Sequence, residues 1–187
     1  DFGLVVDGKP QEVETFEAAN STLSVVLVLD VSASMALKLR EARAAALEFL
    51  SAMKPGDRAA VLTFASNVVG FTPFSTDRGP ARAALEEARV SGETALYDAA
   101  AVALRRLREQ SGRRAVVLFT DGEDNRSRLS IDQVVDLARA NEASVFAVAQ
   151  GVAEAKQLLR GLSRLAEETG GRAWSISSIR GLPGAFA

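Results

Sequence analysis

Short apolar runs alternate along this chain with longer stretches in which apolar residues recur every three or four positions. Val25–Leu29, Ala59–Phe64, Ala115–Phe119 and Val145–Ala149 are continuously apolar or nearly so, and β-branched residues are prominent in them. A strand covered by helices on both sides has no face left for polar residues, so these runs predict buried parallel strands. Between them, Ala36–Met53, Arg78–Arg89, Tyr97–Glu109, Ile131–Asn141 and Lys156–Thr169 carry helical spacing. In the first of these, Leu39, Arg43, Ala46, Leu47 and Leu50 mark one stripe. The alternation predicts an α/β fold, doubly wound and Rossmann-like, with a mostly parallel central sheet and helices on both faces.

The turn residues agree. Pro55-Gly56-Asp57 stops the first helix, Ser111-Gly112 closes the helix before Val116, and Gly170-Gly171 precedes a last strand at Ala173–Ile176. Val68–Phe71 follows Phe64 after only Ala65-Ser66-Asn67, too short a link for a helical crossover. It therefore predicts an antiparallel strand at the sheet edge. Residues 21–187 form one expected domain, a size that fills a single core. Residues 1–20 read as an extension, with Leu4–Val6 and Gln11–Phe16 forming a hairpin around Asp7-Gly8. Ser177–Ala187, with Gly181, Pro183 and Gly184, makes a poor helix and reads as a frayed or truncated last element.

Composition narrows the function. The hydrophobic fraction of 48% and charged fraction of 25% are those of a globular protein. A net charge of −2 offers no field for nucleic acid or an anionic membrane. Arg105, Arg106, Arg108, Arg113 and Arg114 cluster, as cations do at the C-terminal end of a helix; a phosphate- or partner-docking patch is the other reading. The chain has no histidine and no cysteine, which excludes Ser-His-Asp and thiol catalysis, thiolate metals and disulfides within it. No apolar stretch approaches the roughly 20 residues that cross a bilayer, so no membrane insertion is expected. Absence of cysteine leaves the compartment open, and a targeting segment could precede Asp1. A monomer is expected.

The polar residues at the strand ends carry the chemistry. After the apolar run Val25–Leu29 comes Asp30-Val31-Ser32-Ala33-Ser34. Ligands of open α/β sheets gather at the C-terminal ends of the strands. In a loop there, residues two apart can face one side, so Asp30, Ser32 and Ser34 could converge on a hard cation such as Mg²⁺. A plain helix N-cap explains the same residues. The strand Ala115–Thr120 ends in a second acid, Asp121, followed by Gly122, with Glu123 and Asp124 as solvated acids or further negative charge. Ser91-Gly92-Glu93-Thr94 enters the helix beginning near Tyr97-Asp98, and Thr94 taken alone reads first as an N-cap.

Together, Asp30-Val31-Ser32-Ala33-Ser34, Thr94 and Asp121-Gly122 resemble the D-x-S-x-S…T…D-G pattern of von Willebrand factor type A domains. The resemblance runs from about Thr22 to Ser178. It extends to Lys54-Pro55-Gly56-Asp57, Thr94-Ala95-Leu96-Tyr97-Asp98 and Leu165-Ala166-Glu167-Glu168-Thr169-Gly170-Gly171. Val6-Asp7-Gly8-Lys9-Pro10-Gln11 looks like a bacterial, acidobacterial-type VWFA-related subgroup. The resemblance implies one metal-ion-dependent adhesion site at Asp30, Ser32, Ser34, Thr94 and Asp121, taking Mg²⁺, Mn²⁺ or Ca²⁺. Ser32 and Ser34 would bind through their hydroxyls and Thr94 directly or through water. Asp30 and Asp121 would act mostly through water or by orienting the hydroxyls. Ala33 departs from the family's common glycine. Leu37-Lys38 stand where integrin β-type domains carry acids for a second metal, so one ion is expected.

Two carboxylates leave one divalent cation near neutral and still electrophilic, so the expected function is binding, with a partner protein supplying a carboxylate to the metal. An enzyme would need a positioned base or nucleophile, and the spacing of Glu93, Glu123 and Asp124 marks none. The enzymatic alternative is a haloacid-dehalogenase-like phosphotransferase using Asp30, but Ser32 stands where that motif needs a general-acid aspartate. The third reading is a scaffold with a vacant site. The bacterial subgroup points to export.

Overall fold

A computed structural model of the chain describes residues 4–6, 9–11, 22–121, 124–149 and 156–175. Among these residues six strands form the central sheet: β3 (Leu23–Asp30), β4 (Arg58–Phe64), β5 (Val68–Phe71), β6 (Arg113–Thr120), β7 (Ala143–Ala149) and β8 (Ala173–Ser175). Their order is β5-β4-β3-β6-β7-β8, parallel except for β5, which pairs antiparallel with β4 as its short connection requires. Among the described residues five helices cover the sheet: α1 (Leu39–Ala52), α2 (Gly79–Glu87), α3 (Leu96–Leu107), α4 (Ile131–Ala140) and α5 (Lys156–Glu167). This is the doubly wound α/β architecture. The chain grows outward from β3 to β4 and β5, then returns to place β6 on the other side of β3. The sheet therefore reverses its direction of growth between β3 and β6, and the strand C-termini at such a point are where open α/β sheets bind ligands.

Both faces of β3 are buried, and its alternation assigns each side chain to one of two cores. Val25, Leu27 and Leu29 pack with α1 and α2 residues such as Ala46, Phe49, Leu50 and Leu85. Val26 and Val28 pack with Leu96, Leu104, Val134 and Leu165 of α3, α4 and α5. Burying a leucine or valine side chain contributes roughly 1.5–3 kcal/mol. Polar residues along such a strand would forfeit that on either face, which is why the run is unbroken.

Two of the conspicuous motifs are structural. Asp57 is buried, and its carboxylate accepts the Leu23 N–H at 2.8 Å and the Lys54 N–H at 3.0 Å, tying the α1–β4 turn to the start of β3. At the end of α5, Gly171 donates to the Ala166 carbonyl at 2.8 Å. It lies so close to β7 that a Cβ there would be 1.9 Å from the Val145 carbonyl oxygen. The Thr169 hydroxyl accepts the Val145 N–H at 3.0 Å in the same region.

Three expectations change. The first helix begins at Leu39 rather than Ala36, because Ala33–Met35 form a short 3-10 turn with a further turn after it. Its buried stripe is Leu39, Ala42, Ala45, Ala46, Phe49 and Leu50; Arg43 is only half-buried and donates to the Ala88 carbonyl at 2.7 Å. In the N-terminal ribbon, β1 (Leu4–Val6) pairs with β2 (Lys9–Gln11), so the second strand starts two residues earlier than the pattern predicts. Asp7-Gly8, residues 12–16, Gly122, Glu123, Ile176 and Ser177–Ala187 lie outside the described residues. Among the described residues no helix is long and apolar enough to cross a membrane.

Candidate metal centre

Three loops meet at the C-terminal ends of β3 and β6. The first leaves β3 at Asp30, which is wholly buried. Asp30 Oδ1 accepts the Ser32 N–H at 2.8 Å and Oδ2 accepts the Thr120 hydroxyl at 2.6 Å. The first bond folds the chain back sharply, and the 3-10 turn follows, closed by Met35 N–H to the Ser32 carbonyl at 3.0 Å. The Ser32 and Ser34 hydroxyls are thereby brought to 3.0 Å from each other. Ser32 is buried and Ser34 is exposed, so the pair runs from the interior to the surface. Neither the 3-10 turn nor α1 has a side-chain cap bond, which removes the capping explanation of these residues.

The second loop, residues 91–95, is stitched to the first by Ser91 N–H to the Val31 carbonyl at 2.7 Å and Ala33 N–H to the Gly92 carbonyl at 3.0 Å. Gly92 has φ of +68°, and a Cβ there would lie 2.8 Å from Ser66 Oγ. Ser66 Oγ itself accepts the Glu93 N–H at 2.9 Å. Thr94 is buried, and its N–H donates to Asn125 Oδ1 at 3.1 Å while its carbonyl accepts the Asn125 N–H at 3.1 Å. The N-cap of α3 is Ala95, so Thr94 does not hold the cap position.

The third loop follows β6. Asp121 is 3% exposed, and its Oδ2 accepts the Lys38 ammonium at 3.0 Å. Its Oδ1 is buried with no hydrogen-bond partner among the described residues, a condition that native interiors rarely tolerate. Asp124 is a turn-former, accepting the Ser127 N–H at 3.0 Å. Asp98 of α3 holds the same loop through the N–H groups of Arg128 and Leu129, at 3.2 and 3.0 Å. Glu93 is exposed and paired with Arg126 at 3.2 Å. The acids near the site other than Asp30 and Asp121 thus have ordinary structural partners where they are described.

Burial pushes the Asp30 carboxyl above its ordinary range, with the negative charge of Asp121 adding to the rise; the Ser32 and Thr120 hydrogen bonds pull it back in part. Two carboxylates and three hydroxyls on one rim are hard oxygen donors of the kind Mg²⁺ takes. The unpartnered Asp121 Oδ1 and the Lys38 ammonium beside Oδ2 both point to a place suited to positive charge. The residues present fit a divalent cation. Among the described residues no three or more His, Cys, Asp or Glu side chains group as a metal site, so the fit depends on the hydroxyls.

The family model for the von Willebrand factor type A domain matches residues 25–123, which include all five of these side chains and more than half of the chain. The chain belongs to this family. Solved structures with the same fold include BatB from Bacteroides thetaiotaomicron, a conserved hypothetical protein, at 20% identity and a TM-score of 0.73. That match covers 88% of this chain and 97% of that one. A von Willebrand factor type A protein from Catenulispora acidiphila is 22% identical with a TM-score of 0.73, over 89% of this chain and 41% of that one. The vWF domain of a type V pili tip protein from Porphyromonas gingivalis is 11% identical with a TM-score of 0.71, over 90% of this chain and 94% of that one. No curated protein matches the chain.

Three residues of this von Willebrand factor type A domain escape a reading by motif. Thr120 reads as the last residue of an apolar strand, yet it is buried and bonded to Asp30. Asn125 reads as loop, yet it clamps Thr94 on both sides. Lys38 stands eight residues after Asp30, and only the turn before α1 brings it to Asp121. A polar residue ending an apolar strand beside a known acid is a faint signal for Thr120. For Asn125 and Lys38 the sequence carries none.

Proposed function

We propose that this domain is a binding module that takes one divalent cation, Mg²⁺ by its oxygen donors with Mn²⁺ or Ca²⁺ as substitutes, and engages an acidic side chain of a partner protein through it. Ser32, Ser34 and Thr94 would hold the ion through their hydroxyls and Asp121 through its carboxylate. Asp30, with both oxygens already engaged by Ser32 and Thr120, orients the loop. The bound ion would supply a position for an incoming carboxylate. The observation that carries the reading is the buried Oδ1 of Asp121, unpartnered among the described residues, at the end of the strand that pairs with β3, whose following loop brings the Ser32 and Ser34 hydroxyls together.

The chain's own residues favour binding over phosphoryl transfer. A nucleophilic aspartate needs a free oxygen open to substrate, and Asp30 is wholly buried with both oxygens accepting hydrogen bonds. Beside the second and third loops, Ser66, Asn67, Asp98, Arg126 and Arg128 line a polar hollow. Its two arginines would favour an acidic partner segment. Exposed Leu37, in the turn after Ser34, offers an apolar contact next to the same rim. Membership of an interaction-domain family, and the occurrence of this fold in a pili tip protein, agree with an extracytoplasmic binding role.

The test is thermal unfolding in chelator and in millimolar Mg²⁺ or Mn²⁺. A ligand at one hundred times its Kd stabilises by about 2.7 kcal/mol. For a chain of this size that is a rise in Tm of about 5–10 °C. Asp121→Ala should abolish the rise. Unchanged melting of the parent chain in both metals would refute the metal site, and partners captured equally with and without chelator would refute the metal bridge.

A further inference from the structure

Lys38 lies between the Ser32–Ser34 pair and α1, and its ammonium donates to Asp121 Oδ2 at 3.0 Å. The pair is unequal: Asp121 is 3% exposed and Lys38 is 37% exposed. The pairs Arg82–Glu86 and Arg126–Glu93, by contrast, join groups that are exposed on both sides. Surface pairs of that kind contribute little, whereas a buried carboxylate depends on its compensating charge. The lysine backbone is fixed independently of its side chain, its N–H donating to the Met35 carbonyl at 2.8 Å and its carbonyl accepting from Glu41 and Ala42 at 3.0 and 3.1 Å.

We propose that Lys38 is a built-in competitor of the metal: its ammonium neutralises Asp121 in the metal-free domain and sets the affinity with which the site takes a cation. This rests on the metal reading above. An ammonium at one oxygen of a carboxylate opposes a cation at that carboxylate in two ways. It occupies one of the oxygens, and it repels a second positive charge a few ångströms away. Binding therefore requires the ammonium to swing away or costs affinity while it stays. The partial exposure of Lys38 gives it water to swing into, and the buried Asp121 has no such choice. The consequence is a domain that stays folded and charge-compensated without metal and fills its site only above a raised cation threshold.

The test is titration with Mn²⁺ alone, by calorimetry at low ionic strength, of the parent chain, Lys38→Met and Lys38→Arg, with thermal melts of each in chelator. Lys38→Met should bind Mn²⁺ about tenfold more tightly, the discounted worth of a charge-assisted hydrogen bond with a partly exposed donor. The same variant should melt lower in chelator, since Asp121 loses its counter-charge. Lys38→Arg should stay near the parent in both. A purely structural lysine would shift the melt without tightening Mn²⁺ binding. Parent and Lys38→Met affinities within twofold of each other, or weaker binding by Lys38→Met, overturn the proposal while leaving the metal site standing. Absence of Mn²⁺ binding by both overturns the proposal together with the metal reading.

Discussion

Replacing Thr120 with valine exchanges one hydroxyl for a methyl at nearly the same shape, in a position where the hydroxyl is bonded to Asp30 Oδ2 at 2.6 Å. Both residues are 0% exposed, so no solvent can take over the lost donor. A hydrogen bond to a charged group contributes about 1.5–3 kcal/mol, and the carboxylate oxygen left behind keeps its full desolvation cost. A chain of this length moves by about 2–4 °C per kcal/mol. Thr120→Val should therefore melt about 3–12 °C lower in chelator at neutral pH. It should also push the Asp30 carboxyl further up, since one of the bonds that lowers it is gone. The assay is circular-dichroism melting, joined to a carboxyl-carbon NMR titration of Asp30. Thr120→Ser keeps the hydroxyl and isolates the methyl's packing. A Tm within about 1 °C of the parent, or a serine variant falling as far as the valine one, would refute the assignment of Thr120 as the donor that holds Asp30.

Asp30 itself gives a prediction with a definite sign. Its folded-state pKa is raised, so the folded chain holds the proton more tightly than the unfolded chain. Its contribution is fully present below the unfolded pKa and is lost as pH rises through the folded one. Asp30→Asn should then melt no lower than the parent in chelator at neutral pH while losing the metal-dependent rise; a clear drop in chelator would contradict the sign. Gly92→Ala places a Cβ 2.8 Å from Ser66 Oγ at a φ of +68°. A left-handed alanine costs roughly 1–2 kcal/mol, so Tm should fall by about 2–8 °C and Mn²⁺ binding should weaken with it. Unaltered binding would show that the 91–95 loop does not carry a ligand.

The strands and helices were legible because unbroken apolar runs alternate with stretches of helical spacing. Val25–Leu29 is apolar at every position because helices bury both of its faces, and Ile131–Asn141 shows helical spacing; the reciprocal cap of Ser130 and Gln133 at the first turn of α4 is a finding of the structure. The start of α1 was not legible. Ala36, Leu37 and Lys38 are compatible with helix, and only the turn imposed by Asp30 and the two serines keeps them out of it. Lys54–Asp57 and Leu165–Gly171 were visible as motifs, but not as what they are: a clamp on β3 and a close approach to β7.

Sequence alone determined the alternation, the antiparallel edge strand and the exclusion of histidine and thiol chemistry, because these follow from local spacing and residue type, while the candidate donors Asp30, Ser32, Ser34, Thr94 and Asp121 came as a set from the resemblance to the family's pattern. The tertiary structure decided which groups face each other. It alone shows that β3 and β6 are neighbours across the point where sheet growth reverses, so that a hydroxyl ninety residues away holds Asp30 and a lysine eighty-three residues away reaches Asp121. Those contacts depend on strand order and loop closure, and no local pattern encodes a distance between segments so far apart along the chain.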